Sequence, residues 1–345
     1  MKKSIKEIFW DISEPEYRKD PALSQSTLAT FERKGFEGLD TLFEPVSSSA
    51  LTFGSCVDCL ITEGEKAFEE RYHIADIPKI KPSAGPIIKE IYNLFHNAYT
   101  NIQDIPDADI MPVILKNNYQ SNWQPKTRVK SIKDEGSRYY QTMFMAKDKT
   151  VITQEVYNRV FACVQALKNS EQTRYYFCAD NPFDDIERVY QQKVKGKLGK
   201  ITYRGMPDLL IVNHKDKTVI PCDLKTSSGK EYDFPKHFIE WGYQIQARLY
   251  WRLIRQAMDK DEYFKYFQLR DFRFIVVNSN SIPVPLVWIF DGTQTRGDII
   301  LGGKVCRDPE KIGEELVYYL TEKPLVPIGI NLTRLNSIEQ CLRND

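Results

Sequence analysis

Two apolar runs that each carry an aspartate constrain this chain more than any other feature. The first is Gly205-Met206-Pro207-Asp208-Leu209-Leu210-Ile211-Val212 and the second is Val219-Ile220-Pro221-Cys222-Asp223-Leu224-Lys225-Thr226. Between them Asn213-His214-Lys215-Asp216-Lys217 reads as a polar turn. A hairpin centred on that turn sets Asp208 directly opposite Asp223. Opposed residues in an antiparallel pair have Cβ atoms about 4.5–5.5 Å apart, near enough for two carboxylates to share one divalent cation. Lys225 lies two residues beyond Asp223 and leaves the same face of the strand. Two acids and a cation among Ile, Val and Leu are costly in a structural sheet and natural in a metal site. The competing reading makes the acids solvated strand ends and Asp223–Lys225 an ordinary surface pair.

Downstream, the segment Phe238–Ile254 carries two stripes. Trp241, Ile245, Leu249 and Leu253 recur every four residues and give an apolar helical face. Tyr243, Gln246 and Tyr250 fall at i, i+3 and i+7, a second face beside the first. Taken alone, this is an amphipathic helix with two interfacial tyrosines.

Together the three segments resemble the PD-(D/E)XK nuclease superfamily. The matching residues are Pro207-Asp208, then Asp223-Leu224-Lys225, then Gln246-Ala247-Arg248-Leu249-Tyr250. The last is similar to the Gln-x-x-x-Tyr signature of the RecB-like branch, which includes RecE-type phage exonucleases. Gly205 before the first Asp fits as well, and Leu23-Ser24-Gln25-Ser26-Thr27-Leu28 looks like the Ser-x-Ser-x-Leu start of RecE-like chains. Relatives place a metal-ligand histidine four residues after a helical glycine, and in Phe53-Gly54-Ser55-Cys56-Val57-Asp58 that position is Asp58. Aspartate is a hard oxygen donor and suits Mg²⁺; otherwise Asp58 caps or solvates a helix. A second departure is Gln192 where many relatives carry a Glu before the first Asp, Glu187 lying too early. The resemblance covers roughly residues 20–290.

What the resemblance implies is a restriction-endonuclease-like core: an α/β fold with a mixed central sheet flanked by helices and a helical N-terminal portion. The division expected is residues 1–180, helical and contributing Asp58, followed by a nuclease core over 181–345, the two forming one continuous globular unit. The implied activity is hydrolysis of DNA phosphodiesters with one or two Mg²⁺ or Mn²⁺ ions held by Asp58, Asp208, Asp223 and the Leu224 carbonyl. Lys225 would position the attacking hydroxide or stabilise the transition state, and Gln246 and Tyr250 would orient the lysine or touch the scissile phosphate. The implied role is resection of linear double-stranded DNA for phage-type recombination, by a ring-shaped oligomer working with a single-strand annealing protein. Two alternatives stay open: an endonuclease of the structure-specific or CRISPR-adaptation kind, and a non-catalytic DNA-binding module on the same fold.

Composition agrees with this. The 345 residues are 42% hydrophobic, enough for a sizeable core, and no run approaches the roughly 18 apolar residues of a membrane helix. Nothing after Met1-Lys2-Lys3 reads as a signal peptide, so the expected location is the cytoplasm, of a bacterial host if the chain is phage-encoded. The net charge of +1 weighs mildly against a histone-like DNA coat but not against a local basic channel. Lys193, Lys195, Lys197, Lys200 and Arg204 come before the hairpin, and Lys225, Lys230 and Lys236 after it; of these Lys193, Lys195, Arg204 and Lys230 are the candidate DNA contacts. The seven cysteines point to reduced thiols. Cys56-Val57-Asp58-Cys59 has no companion motif beyond the scattered Cys306 and Cys341, which speaks against an iron–sulfur cluster or zinc site. None of His73, His96, His214 and His237 has an evident partner.

The coarse pattern predicts helices over 84–103, 128–146, 153–167 and 308–321. Strands are expected near 187–195, 200–204, 207–213, 218–225, 272–277 and 284–290.

Overall fold

The structure is a computed structural model that describes residues 2–44, 46–76, 78–178, 185–279 and 282–322. In chain order its elements begin with α1 (Glu14–Lys19), β1 (Leu23–Ser24), α2 (Gln25–Lys34), α3 (Ser49–Thr62), α4 (Glu65–Arg71), β2 (Tyr72–Ile74), α5 (Gly85–Phe95) and α6 (Asp107–Lys116). There follow α7 (Pro125–Ala146), β3 (Thr150–Ile152), α8 (Gln154–Asn169), α9 (Arg174–Phe177), β4 (Ile186–Tyr190), β5 (Val194–Leu198), β6 (Ile201–Gly205), β7 (Leu209–Asn213) and β8 (Thr218–Ser227). The rest are α10 (Phe234–Glu240), α11 (Tyr243–Asp259), β9 (Gln268–Leu269), β10 (Phe272–Asn278), β11 (Pro285–Phe290), β12 (Ile299–Leu301), β13 (Lys304–Cys306) and α12 (Pro309–Glu322). The fold is mixed α/β, as expected.

The chain divides into two units. One comprises residues 1–46, 171–276 and 285–345, the other residues 47–170 and 277–284. The first 46 residues therefore belong to the same unit as the acidic hairpin. The cause is visible in the contacts of the N-terminus. Ile5 is fully buried in the same core as Val189, Val212 and Phe264, and its N–H donates to Glu187 on β4 at 3.2 Å.

In the first unit a six-stranded mixed sheet runs β11-β10-β8-β7-β4, with β9 added beside β8. β4, β7 and β8 are antiparallel neighbours, while β9 lies parallel to β8. Leu209, Leu210, Ile211 and Val212 are all buried, which is why β7 reads as a continuous apolar run instead of an alternating one. A smaller sheet, β1-β6-β5, lies beside α11, which packs against both β5 and β6. α2 packs on α11 and α12. The Ser24 of the Ser-x-Ser-x-Leu stretch caps α2, its hydroxyl accepting from the Thr27 N–H at 3.3 Å.

The second unit is mainly helical. α5, α6 and α7 enclose a core of Ile87, Ile88, Ile91, Ile110, Ile114, Val129 and Ile132. α3 packs on α8, and β2 pairs in parallel with β3. Among the described residues no helix is long and apolar enough to cross a membrane.

Three expectations needed correction. The strand drawn over 187–195 is two strands in two sheets, because Gln191 turns the backbone at φ 50° and donates to the Asp208 carbonyl at 3.0 Å. The helix drawn over 84–103 ends at Phe95. Trp241 is not on the apolar face of α11: it precedes Gly242, whose left-handed φ of 68° starts the helix afresh, and it is 47% exposed.

Candidate active site

The hairpin forms around the expected turn. Asp216 N–H donates to the Asn213 side chain at 2.9 Å, and Lys217 takes the left-handed conformation that closes the loop. The ladder then runs from Asn213↔Thr218 to Leu209↔Cys222. One step further that register sets Asp208 opposite Asp223. The two are linked through the backbone, since the Leu224 N–H donates to Asp208 Oδ2 at 2.7 Å.

Asp223 is the centre of the arrangement. It is 2% exposed. Its Oδ1 accepts from Gln246 Nε2 at 2.5 Å, and its Oδ2 forms an ion pair with Lys225 Nζ. Lys225 Nζ also sits 4.9 Å from the centre of the Tyr243 ring. Thus Tyr243 and Gln246, three residues apart on α11, reach Lys225 and Asp223, two residues apart on β8. A helix face and a strand face, each set by its own periodicity, meet in register.

The electrostatics follow from burial and charge. Burial opposes the Lys225 charge, but Asp223, Tyr243 and Asp208 together outweigh it, and the ammonium pKa is raised above its ordinary value. Burial raises the Tyr243 phenol, Lys225 pulls it back, and Asp223 raises it again. Tyr250 is held well above the ordinary tyrosine value, by burial first and then by Tyr17, Asp223 and Asp208, against a hydrogen bond with the Met206 backbone. Tyr250 is therefore a neutral phenol. A Cβ on Gly205 would fall 2.6 Å from the Tyr250 ring carbons, so the glycine before the first Asp makes room for that ring.

Asp208, Asp223, Lys225, Gln246 and Tyr250 are thus brought together. Asp58 belongs to the other unit, in the third turn of α3. The cap of that helix is Ser48, so Asp58 is not a capping residue; its carbonyl accepts from Thr62 Oγ1 at 2.8 Å. Among the described residues no three His, Cys, Asp or Glu side chains converge to hold a metal ion. Cys56 and Cys59 lie buried one turn apart on α3, and burial raises the Cys56 thiol to about 11. Cys341 lies outside the described residues.

The candidate basic contacts differ among themselves. Lys195 pairs with Asp20 at 2.6 Å and lies over the Trp10 ring. Arg204 lies over the Tyr17 ring. Lys193 is half-buried and its carbonyl accepts from the Trp10 N–H at 2.9 Å. Lys230 is exposed, beside Tyr232. Gln192 donates to the Tyr190 carbonyl at 2.8 Å. Glu187 is used elsewhere: it accepts from Ser4, from the Ile5 N–H and from His214 at 3.1 Å. His214 therefore has a partner after all, and a second in the Tyr263 hydroxyl at 3.2 Å. These bonds tie the N-terminus to the turn end of the hairpin, away from the acids. Tyr17 was not anticipated, because a single tyrosine in a six-residue helix leaves no periodic signal.

No family model and no curated protein matches this chain. Among solved structures it is similar to a crystal structure of a "Putative exonuclease" from Eubacterium rectale, with 12% identity and a TM-score of 0.44. The match covers 82% of this chain and 79% of that one.

Proposed function

We propose that this protein is a metal-dependent deoxyribonuclease of the PD-(D/E)XK type. The observation that carries the reading is the buried Asp223 held between Gln246 and Lys225, with Asp208 opposite it across the hairpin. The donor set suits a hard divalent cation. Asp223 adjoins Gln246, whose Oε1 is buried and accepts no hydrogen bond among the described residues, and Asp208 faces Asp223 across the hairpin, so oxygen donors are available for Mg²⁺ or Mn²⁺. Asp208, Asp223 and the Leu224 carbonyl would hold the ion. Such an ion, when bound, lowers the pKa of its water and neutralises phosphate charge.

The chain's own residues do the rest. Lys225, charged at neutral pH, stabilises negative charge on the phosphate oxygens. Gln246 fixes the rotamer of Asp223 by donating to one oxygen and leaves the other edge for its partners. Tyr243 keeps the Lys225 ammonium over its ring, and Tyr250 presents a neutral hydroxyl. The finer reading is an exonuclease entering linear duplex ends, in recombination or DNA processing, with a single-strand annealing protein as partner and a homo-oligomeric ring as assembly.

The test is digestion of end-labelled linear duplex beside closed circular DNA, with Mg²⁺ or Mn²⁺. Loss of the linear species alone is expected, with Lys225→Ala lowering the rate by at least about 100-fold. Cutting of the circle would move the reading to an endonuclease. Binding without cleavage of either substrate under both metals would make the protein a DNA-binding module.

A further inference from the structure

The small sheet beside α11 carries an arginine whose guanidinium is held without being paired. Arg204 lies on β6 directly opposite Lys195 on β5. Asp20 acts electrostatically on both cations, and its ion pair is with Lys195 at 2.6 Å. Lys195 is further fixed over Trp10, 4.3 Å from the ring centre. Arg204 is fixed differently: its guanidinium lies 4.9 Å from the centre of the Tyr17 ring. Its Nε and Nη1 are buried and meet no hydrogen-bond acceptor among the described residues. The residue as a whole is only half-buried. Stacking holds a guanidinium by its flat face and leaves its edge donors to an outside acceptor, toward which it can slide over the ring.

This position adjoins the acidic hairpin. Gly205, the next residue, packs on the Tyr250 ring. Tyr17 and Tyr250 lie close enough to act on each other electrostatically, and Tyr250 in turn feels Asp223 and Asp208. Tyr17 itself is 4% exposed, and burial pushes its phenol up to about 12 against the pull of Arg204, so the platform is a neutral ring.

On the reading that the hairpin cleaves DNA, we propose that Arg204, seated on Tyr17, binds a phosphate of the substrate strand beside the one that is cut. A phosphate supplies the acceptors that Nε and Nη1 of the guanidinium lack among the described residues. Lys195 acts as a positioning residue that holds Asp20 in an ion pair.

The experiment is equilibrium binding of a short fluorescein-labelled duplex, and of its single strand, in EDTA across a salt series. Without metal the measurement is independent of cleavage. Arg204→Gln is expected to weaken binding about tenfold and to reduce the slope of log affinity against log salt by about one, the signature of a single lost phosphate contact. Arg204→Lys keeps the charge, so it should keep the slope while losing part of the affinity, and it guards against a folding defect in the first variant. Affinity and slope unchanged in Arg204→Gln would overturn the proposal, as would wild-type protein that binds neither DNA at low salt. A slope reduced by one in a protein that cleaves nothing would leave the phosphate position standing and remove the nuclease reading. Cleavage abolished by Lys225→Ala, with Arg204→Gln binding as wild type, would do the reverse.

Discussion

Asp223 and Lys225 show how one residue pair can serve both stability and the proposed chemistry. Each is buried enough that losing its partner leaves a charge with little solvent to receive it. Replacing Lys225 with Met should therefore cost about 3 kcal/mol at neutral pH. The pH dependence has a definite sign. The Lys225 pKa is raised in the folded protein, so its contribution is complete below the unfolded lysine value of about 10.4 and is lost as pH rises through the folded value. Urea unfolding of wild type and Lys225→Met at neutral pH, pH 9 and above pH 10.5 should give a difference that is flat at first and then shrinks. A difference that shrinks between neutral pH and 9 would mean the ammonium is not held this way. At this scale the sequence was most legible. The opposition of Asp208 and Asp223 needs only a turn and a period of two, and the Gln246–Tyr250 spacing needs only a period of 3.6. Tyr17 and the Glu187–His214 pair were not legible, because nothing local brings together residues far apart in the chain.

The elements were legible where the hydrophobic period was clean and lost where the backbone changed direction. β7 and β8 followed their apolar runs, and α7 and α8 their stripes. The strand expected over 187–195 failed because one left-handed Gln191 leaves no mark in composition. Trp241 matched the period of α11 and still lay outside it, because Gly242 resets the helix. The packing of α11 on β6 makes a sharp prediction about Gly205. An added methyl would meet the Tyr250 ring at 2.6 Å, and that ring is itself buried, so neither side can yield freely. Gly205→Ala should cost about 1–3 kcal/mol in thermal or urea unfolding. In the Tyr250→Ala background most of that cost should vanish, giving a coupling that a double-mutant cycle reads directly. An equal penalty in both backgrounds would place the cost in the β6 backbone instead.

Across the first unit as a whole, α11 is fastened on two sides. One side presents Tyr243, Gln246 and Tyr250 to the acidic hairpin; the other carries Arg248 and Arg252 into the segment before α12. Arg248 is fully buried and donates to the Gln244 side chain at 3.1 Å and to the Arg307 carbonyl at 2.9 Å. Arg252 pairs with Asp308 at 2.8 Å and also with Glu310. Asp308 is the hub: it accepts from Arg252, from the Gly297 N–H and, at 2.9 Å, from the Glu310 N–H that opens α12. Two separable roles follow, a countercharge for two buried arginines and a helix cap. Asp308→Asn keeps an acceptor for the cap and removes the charge, and should destabilise by about 3 kcal/mol. Asp308→Ala removes both and should lose about 1 kcal/mol more. Because this clamp sets the rotation of the helix that carries Gln246 and Tyr250, cleavage by Asp308→Asn at a temperature where it remains folded should fall through kcat, with KM little changed. A variant that loses stability but keeps full kcat would show that the hairpin contacts alone hold α11 in register.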